Sequence, residues 1–572
     1  MEAATERAVS SFAKSLFLGE IHEDLVFPYP KPEPDEQDRI RALIASLREV
    51  PYDPRKVEEE RWVGDDTIAE LGERGLLGLY VPEEYGGQGL SQTGYCRVSE
   101  VFAQIDATLS VIMGVHQSIG MKGIALFGTD EQKERFLPDL AIGRKLAAFA
   151  LTEPNAGSDV ASMETRADRN ADGSWRLDGL KHYIGNGSKA GVIVTFAATG
   201  EGEHTAFILE RGMDGLEVGR RFDTMGLRGN DLRELRYNGI HVPPENVLGE
   251  PGDGFRIAMH VLNNGRLSLG TGSVGGAKYI LDQTIRHVKE RRQFGRPLAD
   301  FELVQDKIGW AVSYLFGLES MAYLSTGLVD QGVEDYSLES AICKVAGTEF
   351  LWYAANRSLQ LSGGAGYMRD QPYEKYLRYI RIFPIFEGAN DVMRAFIALA
   401  GMKPLGDELK ETGDVSLADP IGSIGVLLEY AAGRIAREVS PDRITRAHDE
   451  LDDLATAVSD QVRRLRAVTE GLLRGHRGGI VERQFHQKRL ASAVSDIYAQ
   501  VAVLSRVTAH LEEHGIEPSG QERYICDTFC RRAAARVTLA LDQVEQNDDE
   551  RMIAIAKLAY KPGEYGYAFF ED

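Results

Sequence analysis

Apolar residues recur at helical spacing along most of the chain and give way to short, closely spaced runs in one middle stretch. Ile40, Leu43, Ile44 and Leu47 fall on one helix face, and Val63 to Leu71 repeats the pattern less regularly. From Ser99 to Gly128, Phe102, Ile105, Leu109, Ile112, Met113 and Ile119 predict one buried helix. Ser110, Gly114 and Ser118 recur a turn apart on it, and small residues at that spacing leave either close helix packing or an open tunnel. After Ala150, the runs Trp175-Arg176-Leu177, Val192 to Phe196 and Ala206 to Leu209 are separated by Asp178-Gly179, Asn186-Gly187 and Gly200-Glu201-Gly202, the turn chemistry of an antiparallel sheet. Helices return over Arg256 to Val288, Leu303 to Asp330 and Ser337 to Leu361. Leu490, Val494, Ile497, Val501 and Leu504 form the stripe of a later bundle helix. The expectation is a mainly α protein with a central β domain.

At 572 residues the chain exceeds one core and divides into several domains. The pattern places an N-terminal arm at 1–34, ending in the Pro-rich FPYPKPEP; a helical domain at 35–149; and a β domain at 150–249. A helical bundle at 250–402, a linker at 403–420 and an extra C-terminal helical domain at 421–572 complete it.

Sixty-five basic against eighty-seven acidic residues leave a net charge of −22, which argues against nucleic acid as a partner and against a generally anionic membrane. An anionic ligand then needs a local basic or backbone N–H site. Cys96, Cys343, Cys526 and Cys530 are too few and scattered for a disulfide framework, which favours a reducing compartment, and they give no metal site. No apolar run reaches membrane-spanning length and Met1 to Ser10 lacks the features of a secretory signal, so a cytoplasmic, bacterial protein or a mature chain is expected. Ala431 to Leu473 mixes both charge signs at helical spacing, the texture of a solvated bundle face more than of a membrane helix, and leaves only weak peripheral membrane contact through the C-terminal domain open.

Two stretches carry chemistry. In RIFPIFEGANDVMR, Arg381 to Arg394, Glu387 is flanked by Ile382, Phe383, Pro384, Ile385 and Phe386. Low-dielectric surroundings raise a carboxylate toward the range of a general base, and Gly388 lets backbone approach a ligand. The competing reading is an exposed acid at a helix start, where Asn390-Asp391 cap the helix. In FALTEPNAGS, Thr152 and the Asn155 to Ser158 turn present hydroxyls and N–H groups suited to a heterocycle or pyrophosphate, or else form a plain turn. VPEEYGGQGL lacks a dinucleotide-fold context and reads as a turn between helices.

Together, LTEPNAGSDVASMETRA, KHYIGNGSKA, RRQFGRPLADFELVQ, QLSGGAGYMRD and RIFPIFEGANDVMR resemble, in order, the signatures of the acyl-CoA dehydrogenase family. SFAKSLFLG, VFPYP, HQSIG, LNNGR, GIVERQF and CDTFCRRAAARV are most similar to its very-long-chain members and their complex-I-assembly relative. The resemblance implies N-terminal helices, an antiparallel β domain, a four-helix bundle and the extra domain, with FAD held across a homodimer. It implies α,β-dehydrogenation of a fatty acyl-CoA to trans-2-enoyl-CoA. Glu387 would remove the α-proton, hydride would pass to flavin N5, and electron-transfer flavoprotein would take the electrons.

The implied cofactor contacts are Phe149, Leu151, Thr152, Gly157, Ser158, Tyr183, Ile184 and Gly185, with Arg291, Phe294, Gln360, Gly363 and Gly364 from the neighbouring subunit, Asn390 and Asp391 near phosphate and ribose, and Gln484 from the extra domain. Ser158, Arg266, Gly388, Ser110 and Gly114 would bind substrate, the last two opening a deep channel for a long acyl chain; Arg266 would position Glu387 or substrate, or else form a structural ion pair. Three departures stand out: Gly185 replaces the usual Thr or Ser beside flavin N5, Tyr183 replaces the usual Trp, and Pro384 and Ala389 vary the glutamate loop. An acyl-CoA oxidase, a branched or aromatic acyl-CoA dehydrogenase, and an assembly scaffold retaining FAD are the alternatives.

Overall fold

The computed structural model describes residues 11–411 and 443–567. The expected linker beyond 411, the start of the Ala431 to Leu473 stretch and Met1 to Ser10 lie outside the described residues. The N-terminal arm is not a free extension. Its SFAKSLF segment forms helix α1 (Phe12–Phe17), followed by α2 (Glu23–Val26), and Phe12, Ala13, Leu16 and Phe17 are fully buried. Ser11 Oγ and the Ala13 N–H both donate to Glu339, at 2.8 Å, which fixes the arm to the bundle.

Helices α3 (Pro34–Arg48), α4 (Pro54–Glu60), α5 (Asp65–Glu73) and α6 (Gln92–Ile105) enclose one apolar core with Leu47, Leu71, Leu79 and Phe102. The single helix expected over Ser99 to Gly128 is instead broken. Asp106 leaves the helix at φ −162°, ψ 136° and caps α7 (Ala107–Gly114) by accepting the Thr108 N–H; a π-helical turn, Val115–Gly120, and α8 (Lys122–Phe127) follow. A short polar side chain that accepts from a backbone N–H two residues on is enough to outweigh the surrounding apolar period. Contrary to the sequence reading, Ala107–Phe127 is apolar and long enough to span a membrane by composition; here two thirds of it is buried inside the protein. A capping box between Thr129 and Gln132 starts α9 (Asp130–Ala141).

The β domain begins earlier than Ala150, at β1 (Leu146–Ala150), whose LAAFA run is too short and small-residue-rich to stand out in sequence. With β2 (Arg166–Arg169), β3 (Trp175–Ile184), β4 (Ala190–Gly200), β5 (Glu203–Glu210), β6 (Leu216–Arg221), β7 (Arg233–Val242) and β8 (Val247–Leu248) it forms one sheet in the order β6-β7-β3-β2-β4-β5-β8, β1 also pairing with β4. Most pairs are antiparallel, as expected, but β1 and β2 each run parallel to β4, with Phe149 opposite Val194. Asp178-Gly179 is not a turn: it lies within β3 as a register shift, where a Cβ on Gly179 would meet Thr165 Oγ1 at 2.5 Å.

The bundle comprises α10 (Gly254–Glu290), α11 (Glu302–Asp330), α12 (Ser337–Gly366), α13 (Pro372–Ile380) and α14 (Asn390–Glu411). Helix α12 turns at Gly363, whose φ of 59° suits only glycine without strain. The linker expected to begin at 403 is still helical through Glu411 despite Pro404. The appended helices α15 (Asp452–His476), α16 (Gln484–His514), α17 (Gly520–Asp542) and α18 (Asp549–Tyr560) complete the fold. Their core is continuous with the bundle's: Leu490, Val494, Ile497, Val501 and Leu504 join Ile342, Leu324 and Ile397 in one cluster, with α1 packed against α12, α14, α15 and α16.

Candidate active site

A cavity of about 530 Å³ opens where the β domain meets α7, α10 and the Arg381 to Asn390 loop. Of the residues proposed from sequence it is lined by Ser110, Gly114, Phe149, Leu151, Thr152, Gly157, Ser158, Tyr183, Ile184, Gly185, Arg266, Glu387 and Gly388. Segments far apart in the chain therefore meet around one space.

Glu387 is placed by backbone as much as by side chain. It has φ 56°, and Gly388 follows at φ 92°, two left-handed residues in succession that turn the chain abruptly before α14. Its Oε2 is buried and has no hydrogen-bond partner. Burial pushes the carboxyl up to about 7 although Arg266 and Lys344 oppose the shift. Room for the carboxylate comes from Gly265, where a Cβ would stand 2.8 Å from Glu387 Oε2. Arg266 Nε donates to the Glu387 carbonyl at 3.3 Å and its Nη1 to Asn263 Oδ1 at 2.8 Å, so this buried guanidinium braces the loop. Beneath it Lys344 Nζ donates to the Gly388 carbonyl at 2.7 Å.

Across the cavity, the Thr152 loop rests on Lys181, whose Nζ donates to the Leu151 carbonyl at 3.0 Å and to Glu153 Oε1 at 2.7 Å. Asn186 Nδ2 donates to the Ile112 carbonyl at 3.2 Å, tying the end of β3 to α7. Tyr183 has φ 59° and stands exposed, its ring 4.7 Å from that of Phe222. The glycine at 185 has a steric cause: a Cβ there would meet Val115 Cγ2 at 3.0 Å, so the π-helical turn occupies the space a hydroxyl-bearing side chain would need. His116 holds that turn, Nδ1 accepting the Ala147 N–H at 2.9 Å and Nε2 facing the Leu140 carbonyl at 3.1 Å.

Other expected site residues are elsewhere. Arg291, Phe294, Gln360, Gly363, Gly364 and Gln484 are exposed and do not line the cavity; Phe294 is 94% exposed. Asp391 also points to solvent. Asn390 is buried, with Oδ1 accepting from Lys344 Nζ at 2.7 Å and Nδ2 donating to Thr348 Oγ1 at 3.1 Å, so its amide serves the bundle interior. Sequence reading missed Lys344, Lys181, Gly265 and Val115. For Lys344 the available signal was a lone cation in the apolar helical run AICKVAG.

A flavin fits what these walls offer. The hydroxyls of Thr152 and Ser158 line the cavity, Gly157 leaves open space where a side chain would stand, and the exposed Tyr183 and the Tyr183 to Gly185 backbone face the same space.

Comparison with known proteins matches the chain to four family models in order: acyl-CoA dehydrogenase N-terminal domain over 34–144, middle domain over 148–240, C-terminal domain over 252–402, and the ACAD9/ACADV C-terminal domain over 449–565. It is 38% identical to the mitochondrial very long-chain specific acyl-CoA dehydrogenase of Rattus norvegicus over 95% of this chain and 85% of that protein. An acyl-CoA dehydrogenase from Bacillus anthracis, solved in complex with FAD, superposes with a TM-score of 0.81 at 27% identity, covering 98% of this chain and 97% of that one. A structure described as the electron transferring flavoprotein of Acidaminococcus fermentans matches with a TM-score of 0.62 at 32% identity over 65% of this chain and 98% of that one.

Proposed function

The chain belongs to the acyl-CoA dehydrogenase family, and from that premise we propose that it dehydrogenates a long-chain fatty acyl-CoA to the trans-2-enoyl-CoA with Glu387 as base. The observation that carries this is the buried, unpartnered Glu387 Oε2 in a cavity it shares with Thr152, Ser158 and Tyr183.

Glu387 takes the α-proton, and its raised affinity for protons lets it do so near neutral pH. Arg266 fixes the loop from which it acts. Ile119, Leu262, Leu269, Ile385 and Phe386 line the approach with apolar surface, which excludes water and strengthens every electrostatic interaction inside. Bound FAD supplies the acceptor for the β-hydrogen and its electron pair. Thr152, Ser158 and the Tyr183 to Gly185 backbone would hold it, and the exposed Arg291, Phe294, Gln360, Gly363 and Gly364 are available to a second subunit in a homodimer.

The long-chain preference rests on Ser110 and Gly114 lining the cavity, where a Cβ on Gly114 would meet nothing closer than Ser118 Oγ at 3.7 Å. Electron-transfer flavoprotein is the acceptor that the family likeness supports, and the four free, buried cysteines accord with a cytoplasmic setting.

The test is anaerobic mixing of the purified flavoprotein with C4 to C20 acyl-CoAs, following flavin absorbance beside Glu387→Gln. Bleaching by palmitoyl-CoA in the wild type alone is expected. Best turnover at C4 would refute the chain length, and no bleaching by any member of the panel would refute the activity.

A further inference from the structure

We propose that Lys344 is a positioning residue for the base: its ammonium, buried under the active-site loop, holds the Gly388 carbonyl and thereby sets the place and charge of the Glu387 carboxylate. The inference rests on the reading of Glu387 as base.

Lys344 lies in α12 with no exposed surface, so its stem crosses the bundle core and only Nζ meets polar atoms. Those atoms are the Gly388 carbonyl and Asn390 Oδ1, each at 2.7 Å, and both belong to the segment that carries Glu387 into α14. A buried ammonium without a contacting carboxylate is costly, and burial holds Lys344 down to about 7.

The charged groups around it are disposed unequally. Glu349, on the same helix, is engaged by Arg394 of α14 at 2.6 Å. Arg266 of α10 adds a second cation on the Glu387 side. Thr348 and Asn390 contribute only neutral dipoles. Glu387 is thus the carboxylate in this pocket with no hydrogen-bonding partner on Oε2, and its attraction outranks the other influences that keep Lys344 protonated.

The link is mechanical as well. Glu387 and Gly388 are both left-handed, and the Lys344 anchor falls on the second of them. Released from it, the turn is free to relax toward ordinary backbone and carry the carboxylate away from Gly265.

Lys344→Met removes charge and donor; Lys344→Gln removes charge and keeps a donor. Each is compared with wild type as the flavin-loaded protein, by the rate of anaerobic flavin reduction with palmitoyl-CoA across pH and by melting temperature. The Glu387 carboxyl is also titrated by difference infrared spectroscopy, its band identified by loss in Glu387→Gln. Expected for Lys344→Met is an upward displacement of the acid limb and of the infrared midpoint by about one pH unit, hence roughly tenfold slower reduction below the limb, with Lys344→Gln between it and wild type. Wild-type limb and midpoint in either variant, even with a lowered melting temperature, would overturn the proposal and leave Lys344 a structural lysine. If neither variant folds, Lys344→Leu, which also removes charge and donor, takes their place, and the same displacement, or its absence, decides. Failure of wild type to bleach would count against the dehydrogenase reading alone, since the infrared midpoint needs no turnover.

Discussion

The two loops that face each other across the cavity are both seated on a buried lysine, yet they leave their carboxylates in opposite states. On the Thr152 side, Glu153 accepts Lys181 Nζ at 2.7 Å, the Thr165 N–H at 3.1 Å and the Glu164 N–H at 2.5 Å. Burial alone would raise it, but the ion pair and these donors outweigh that, and it lies below the ordinary carboxylate range. On the other side, Lys344 spends its hydrogen bonds on a backbone carbonyl and an amide, Glu387 Oε2 has no partner, and burial wins. The same device therefore gives a satisfied carboxylate that holds a loop and an unsatisfied one poised to accept a proton. What distinguishes structure from chemistry here is where the lysine's donors end.

The largest effect should come from the unsatisfied side. Glu387→Gln is isosteric and keeps the loop, so flavin binding should survive while the rate of reduction by acyl-CoA falls by about 10³-fold or more, read by stopped-flow absorbance. The opposite side should fail differently. Lys181→Met strands Glu153 in the core at a cost of about 3–5 kcal/mol, expected as a lower melting temperature and loss of flavin on gel filtration. Whatever protein remains loaded should keep the wild-type acid limb; a shifted limb would erase the distinction between the loops. In the wild type itself, a base must work ionised, and burial raises Glu387, the proposed base, to about 7, so the second-order rate of reduction should rise with pH through that value, falling about tenfold per unit below it. A limb near the ordinary carboxylate range would mean that Glu387 is solvated in solution.

Glu387 was legible because its environment is local: five apolar residues precede it in the chain. The Thr152 and Tyr183 segments were legible as motifs, and they do line the cavity with Glu387. Of what supports them only Arg266 was legible; Lys344 and Gly265 reach Glu387 through the packing of α10 and α12, which no spacing along the chain encodes. The surroundings of Asn390 were hidden for the same reason, since a side chain at a helix start can face ligand or core, and here the core offered Lys344 and Thr348. In the fold, long periodic helices such as α10 and α11 were evident, whereas the break at Asp106 and the strand at Leu146 hinge on single residues or very short runs. The continuation of α14 past Met402 was not evident, because its apolar surface is shared with the appended helices, which lie far along the chain.

The smallest effect sharpens the comparison from the Tyr183 to Gly185 side. Gly185 offers no side-chain hydroxyl, and its Cβ position lies 3.0 Å and 3.4 Å from the two Val115 methyls, tighter than ordinary contact. Val115 stands on the π-helical turn that His116 ties to β1, so it has little freedom to yield. Gly185→Ser should therefore destabilise by about 1–3 kcal/mol through overpacking, and Val115→Ala should be mildly destabilising by itself. In the double variant the serine gains the space that the valine methyls vacate, so the two costs should fail to add, with a coupling of about 0.5–3 kcal/mol in denaturant melts. Additive costs would mean that Val115 does not decide the residue at 185. A coupled pair would make the missing hydroxyl a consequence of packing between the π-helical turn and β3, and the flavin potential of the double variant against wild type would then measure what that hydroxyl contributes.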